Sequence, residues 1–238
     1  MTSGDRMTVL RRSAPVARID HRALRANVEA LLLRSDGEFA VADLRHDAWG
    51  HGARGVSRTL LAAGVDAFVV DEADREALEA ELPGAAVRGA GEASLDPDEV
   101  YGLPGSDGIG AMRLSGSVLV VKRLRAGEGV SYGFTHRAPV DTRVALVSGG
   151  YAQGIVRSLG DRVAVRIGAA RHPVVGRVAM DVCVVDIGDA DVSRGDEVVF
   201  FGDGPDDPRL ADWVACTGLS AAELVTAVGL RAQREDVE

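Results

Sequence analysis

The chain has 238 residues, 46% of them hydrophobic but only 4% aromatic, and a net charge of −9. The acidic balance argues against a nucleic-acid or anionic-membrane partner, both of which need a basic face. Its basic clusters, Arg11–Arg12 and Lys122, Arg123 and Arg125, are short and read as solvated surface.

The N-terminal segment, residues 1–15, reads as a loose tail without the apolar stretch of a secretion signal. Asp20 can cap a helix carrying Leu24, Val28, Leu31 and Leu32 on one face. A strand is expected around 39–44. A helix with Val56, Leu60 and Leu61 follows, closed by Gly64. Residues 67–70 read as a strand, Asp71 starts a third helix with Ala77, Leu78 and Leu82, and 85–87 suits one more strand. This alternation marks βαβ units on a parallel sheet.

Residues 91–110 are rich in glycine and proline and form a seam between two regions. Beyond it, the stretches 118–122, 142–147, 163–167, 174–178, 182–187 and 198–201 are β-branched and apolar, with turn residues between them. That texture suits a small antiparallel barrel or sandwich. Two helices close the chain, one with Leu210, Trp213 and Val214, the other opened by a capping box, Ser220-Ala-Ala-Glu223. The expected fold is therefore α/β followed by all-β, with regions 16–110 and 111–238. Cys183 and Cys216 read as reduced thiols. No run approaches the ~18–20 apolar residues of a membrane span, so a cytoplasmic location is expected.

Four motifs in the second region resemble the alanine racemase family. They are Ala126-Gly-Glu-Gly-Val-Ser-Tyr-Gly133, Gly150-Tyr-Ala-Gln-Gly154, Pro173-Val-Val-Gly-Arg-Val-Ala-Met-Asp181 and Gly195-Asp-Glu-Val198. In the first region, Ile19-Asp20 with Ala23, Leu24 and Asn27 is similar to the family's opening strand and helix. Asp47-Ala-Trp-Gly-His-Gly52 is similar to its cofactor loop.

The resemblance implies an incomplete (β/α) barrel of TIM type, truncated within 16–110, before a C-terminal β domain. A complete barrel needs at least about 200 residues, so either a partner or the seam must cover the exposed edges of the sheet. It also implies pyridoxal phosphate as cofactor, Tyr132 as a catalytic base acting across a dimer interface, Met180 and Tyr151 as substrate contacts, and a homodimer.

The cofactor loop departs from the family. The lysine that would carry pyridoxal phosphate corresponds to Arg45, and a tyrosine that helps to hold the phosphate corresponds to Trp49. A second phosphate tyrosine falls on Ala222. Arginine stays protonated and cannot form a normal internal aldimine. Arg45 and Trp49 remain candidate cofactor contacts, Arg45 by pairing with a phosphate.

Three of these residues have a plainer reading: Tyr132 as β-core packing, Met180 as gap filler, Arg45 as a solvated or salt-bridged surface arginine. His46 and His51 lack a third ligand nearby, so loop hydrogen bonding and no metal are expected. Gly105, Gly108 and Gly110 do not form a dinucleotide fingerprint.

Three functions follow from the sequence. One is a catalytically degenerate racemase homologue, paired with itself or with a complete racemase. The second is an active pyridoxal phosphate-dependent amino-acid racemase acting on alanine. The third is a binding module for a small anion or amino acid.

Overall fold

The computed structural model describes residues 14–35 and 37–238. Nearly all of the expected N-terminal tail lies outside them. The chain enters as strand β1 (Val16–Asp20) and helix α1 (His21–Arg34), whose first turn is capped by the Asp20 carboxylate accepting from the amides of Arg22 and Ala23.

Three short parallel strands follow: β2 (Val41–Asp43), β3 (Ala67–Val69) and β4 (Ala86–Arg88). Between β2 and β3 lie a turn of unusual hand, α2 (Arg45–Trp49), and helix α3 (Ala53–Ala62). Between β3 and β4 lies α4 (Glu72–Glu81). Their sheet has the order β2-β3-β4 and does not close. This is the incomplete barrel that the sequence leads one to expect.

The seam contains a helix that its breaker residues concealed, α5 (Pro97–Tyr101), with proline in its first turn and Asp96 as cap. After β4 the chain returns to the opposite edge of the small sheet. There the amides of Ser94 and Leu95 donate to the Val41 carbonyl at 2.9 and 3.1 Å, and the Val41 amide donates to Ser94 Oγ at 2.9 Å. The seam therefore covers the β2 edge itself. Asn27 pins it to α1: its amide donates to the carbonyls of Val100 and Ile109, and its oxygen accepts from the Ile109 amide.

The second region is mostly antiparallel. It runs through β5 (Met112–Leu124), a hairpin of β6 (Gly129–Val130) and β7 (His136–Arg137), β8 (Thr142–Ser148), β9 (Ala164–Ile167), β10 (Ala170–Pro173), β11 (Val182–Asp186) and β12 (Glu197–Phe201). Helices α6 (Leu210–Thr217) and α7 (Ala221–Gly229) and a last strand, β13 (Gln233–Val237), complete it. The large sheet follows the path β10-β9-β12-β5-β1-β13, with β8 joining β5 to β11.

Three local expectations change. The strand expected at 174–178 lies at 170–173 instead, and Val174 keeps one bridge to Val185. Gly176 turns the chain there with φ of 69°. Strand β13 has a polar sequence without strand periodicity and is held by parallel pairing with β1. Strand β1, grouped by sequence with the first region, pairs with β13 and β5 of the large sheet. One continuous core joins both regions, from Leu24, Leu44 and Phe68 to Val198, Phe201 and Trp213.

The α2 turn and α7 meet backbone to backbone. A Cβ added at Gly229 would lie 2.0 Å from the Gly50 carbonyl oxygen. Relieving that clash requires the two elements to separate. Gly229→Ala is expected to lower stability by about 1–3 kcal/mol, measured as a fall in the urea midpoint at unchanged slope.

Candidate functional site

The site begins at the end of β2. Asp43 is 3% exposed at the strand's last position. Its carboxylate accepts from the Arg45 amide at 2.9 Å and from Arg45 Nε at 2.9 and 3.1 Å, and it also pairs with Nη2. The arginine side chain is 46% exposed, so its charge faces a cleft while its other side is fixed by a buried partner. The hydrogen bond donated to Asp43, then the charge of Asp43, raises the guanidinium pKa still further. Arg45 is thus a salt-bridged, half-exposed arginine and not an available base.

The next four residues are left-handed. His46, Asp47, Ala48 and Trp49 have φ of 54, 56, 54 and 51°. For L-residues this conformation costs roughly 1–2 kcal/mol each, so the surroundings must impose it. The Ala48 amide donates to Leu44 O at 2.8 Å, Gly50 to His46 O at 2.9 Å and Gly52 to Asp47 O at 2.9 Å. The His46 amide donates to Asp71 at 2.6 Å. Asp47 accepts from the Ala53 amide at 2.7 Å, at the start of α3, and pairs with Arg234 of β13. Ala48 is fully buried, and this fixes the turn against the core.

Below the turn, Tyr101 from the seam stacks with Trp49 at 5.6 Å and with His51 at 4.6 Å. Its hydroxyl donates to the Asp43 carbonyl at 2.6 Å, and burial pushes its pKa well up. His51 Nδ1 donates to the carbonyls of Ala48 and Trp49 at 3.0 and 3.1 Å. Burial lowers the His51 pKa to about 4, so the ring is neutral. His46, by contrast, is mostly exposed beside Asp71. The described residues contain no cluster that could hold a metal ion.

A cleft of about 600 Å³ opens above Arg45. It is lined by Asp43, His46 and Trp49 on one side and by Ala222, Ala227, Leu230 and Arg231 on the other. Tyr132, Tyr151 and Met180 do not line it. They stand 81%, 41% and 55% exposed, which removes the packing reading of Tyr132 and Met180. Backbone contacts gather the three at one end of the β domain. Ser131 Oγ donates to the Arg177 carbonyl, and the amides of Tyr151 and Ala152 donate to the carbonyls of Ala179 and Met180.

Sequence reasoning missed Asp43, Tyr101, Arg231 and Arg234. Asp43 left one signal, a carboxylate inside an otherwise apolar strand. The others are recognisable only through their contacts.

Fold and site together define a fragmentary barrel joined to an antiparallel β domain, the architecture of fold-type III pyridoxal enzymes. The match extends to sequence, since the model of the alanine racemase C-terminal domain fits residues 111–236. The chain belongs to the alanine racemase family.

Among similar proteins, the alanine racemase of Mycobacterium tuberculosis (strain ATCC 25618 / H37Rv) is 46% identical over 136 residues, covering 53% of this chain and 35% of that protein. That of Frankia casuarinae is 39% identical over 157 residues, covering 65% of this chain and 40% of that protein. The chain thus covers less than half the length of these relatives. Among solved structures, the alanine racemase of D-cycloserine-producing Streptomyces lavendulae superimposes with a TM-score of 0.80 at 22% identity, over 94% of this chain and 97% of that chain. That of Streptomyces coelicolor A3(2) gives 0.80 at 24%, over 95% and 98%. At this identity the likeness is one of fold.

The depressed His51 pKa makes a pH prediction. The unfolded chain takes up this proton near the ordinary histidine pKa of 6.5 and the folded chain only near 4. Stability from this residue is complete above pH 6.5 and declines as pH falls toward 4, by about 3 kcal/mol in all. Urea unfolding across that window should show the decline, and His51→Gln should flatten it.

Proposed function

We propose that this chain is a catalytically silent member of the alanine racemase family that acts through the exposed face carrying Tyr132, Tyr151 and Met180. The observation that carries this reading is the Asp43–Arg45 pair. The family's chemistry needs a primary amine that can lose a proton. At the matching position stands a guanidinium held by a buried carboxylate.

The residues do not fit pyridoxal phosphate. The cleft holds no lysine, and Ala222 offers no hydroxyl to a phosphate. Lys122, the one lysine of the chain, sits exposed on β5 opposite Val144 and does not line the cleft.

The partner on this reading is a second copy or a complete racemase. Residues 66–107 carry 12 acidic and 2 basic side chains, whereas residues 112–177 carry 11 basic and 3 acidic. Opposite charge on the two regions suits head-to-tail pairing. The second reading is an active pyridoxal phosphate-dependent alanine racemase, favoured by the 46% identity over 136 residues to an alanine racemase.

Pyridoxal phosphate followed by borohydride and intact mass measurement separates the two. No pyridoxyl increment is expected. An increment that disappears in Lys122→Ala would establish the second reading instead. The interface is tested by sedimentation. Alone or mixed with a complete racemase, the chain should associate, and Tyr132→Ala should shift the association constant by about tenfold or more toward free subunits. Monomers under every condition would defeat the interface reading.

A further inference from the structure

The cleft above Arg45 keeps its volume although the residues around it do not suit a pyridoxal site, and its lining has a chemistry of its own. Asp43 engages Nε and Nη2 of Arg45 from behind, and Nη1 has no partner among the described residues. On the opposite wall, Arg231 Nη1 donates to the Ala227 carbonyl at 3.1 Å. No carboxylate stands within ion-pair distance of Arg231 among the described residues. The same lining carries an apolar set, the Trp49 indole, Ala222, Ala227 and Leu230, the last 53% exposed, together with the polar side chains of His46 and Thr226.

The carboxylates that line the cleft are both committed. Asp43 is occupied by Arg45, and Glu223 accepts from the Ser220 amide at 2.8 Å and the Ser220 hydroxyl at 2.9 Å in the α7 capping box. An ammonium group entering here would lose hydration, and the carboxylates it meets already hold other donors, Asp43 from Arg45 and Glu223 through Oε2 from Ser220. A zwitterionic amino acid is therefore a poor fit. A phosphate dianion is less well served, because Asp43 already neutralises Arg45 and leaves Arg231 as the one guanidinium of the lining without a carboxylate partner among the described residues. A single carboxylate on a flat apolar body matches both features.

We propose that this cleft binds a small apolar monocarboxylate, its anion set between Arg45 and Arg231 and its body laid on Trp49 and Leu230. The inference rests on the reading that no aldimine forms at Arg45.

Calorimetry on the full chain tests it with phenylacetate as probe and benzyl alcohol, L-phenylalanine and inorganic phosphate as comparators. Phenylacetate should bind at least about tenfold more tightly than any comparator. Arg231→Gln, on an exposed side chain, should weaken it about tenfold. Thr226→Phe, which fills the cleft from α7 without touching the ion pair, should weaken it at least as much. Both variants avoid stripping the buried Asp43 of its partner, as any change at Arg45 would.

Equal binding of benzyl alcohol, tighter binding of phosphate or phenylalanine, unchanged affinity in both variants, or no heat from phenylacetate would each overturn the proposal. The borohydride experiment is read separately. A pyridoxyl adduct defeats the aldimine-free reading on which this rests. No adduct and no phenylacetate binding defeats only the ligand assignment.

Discussion

The structure depends on strand β1 lying between β5 and β13 in one sheet. This pairing joins the first described strand to the last one and puts α1 and the α/β remnant directly on the β domain. Three short parallel strands would not stand alone, because so small a sheet buries too little apolar surface. Here they share one core with the large sheet, and Leu24, Leu44 and Phe68 belong to the same cluster as Trp213 and Val198. The strained α2 turn uses the same arrangement. Arg234 on β13 holds Asp47, and Gly229 at the end of α7 abuts Gly50.

That frame accounts for a site whose shape survives a change of chemistry. A left-handed run of four non-glycine residues persists only where the surroundings over-determine it. The contacts that impose it involve Asp47, Asp71, Ala48 and the backbone, none of them the side chain of residue 45. Residue 45 can therefore change without releasing the turn, provided that its charge is met. Asp43 meets it. The pair is buried on the Asp43 side and wet on the Arg45 side, so removing either partner has unequal consequences. Loss of the Arg45 side chain leaves a desolvated carboxylate without its counter-charge, holding only the backbone amide of residue 45, which is the expensive direction.

The seam explains how a barrel of three strands is finished. It supplies hydrogen bonds to the β2 edge through Ser94, a stacked tyrosine beneath Trp49 and His51, and a loop fastened to α1 by Asn27. Each replaces something that further strands would otherwise provide: edge pairing, interior filling and cover for a helix face.

The sequence alone determined the alternation of strands and helices, the β texture after residue 111 and the caps at Asp20 and Ser220, because these depend on local periodicity and on short-range hydrogen bonds. It also carried the family motifs and the missing lysine, which are matters of residue identity. The tertiary structure decided the rest. Strand β13 is polar and exists by pairing with β1. The seam helix hides among prolines and glycines that favour turns. The hand of residues 46–49 is imposed by Asp71, Arg234 and the core. Arg45 became informative only when the buried Asp43 was seen behind it. All of these depend on groups distant in sequence or on burial, which no local pattern encodes.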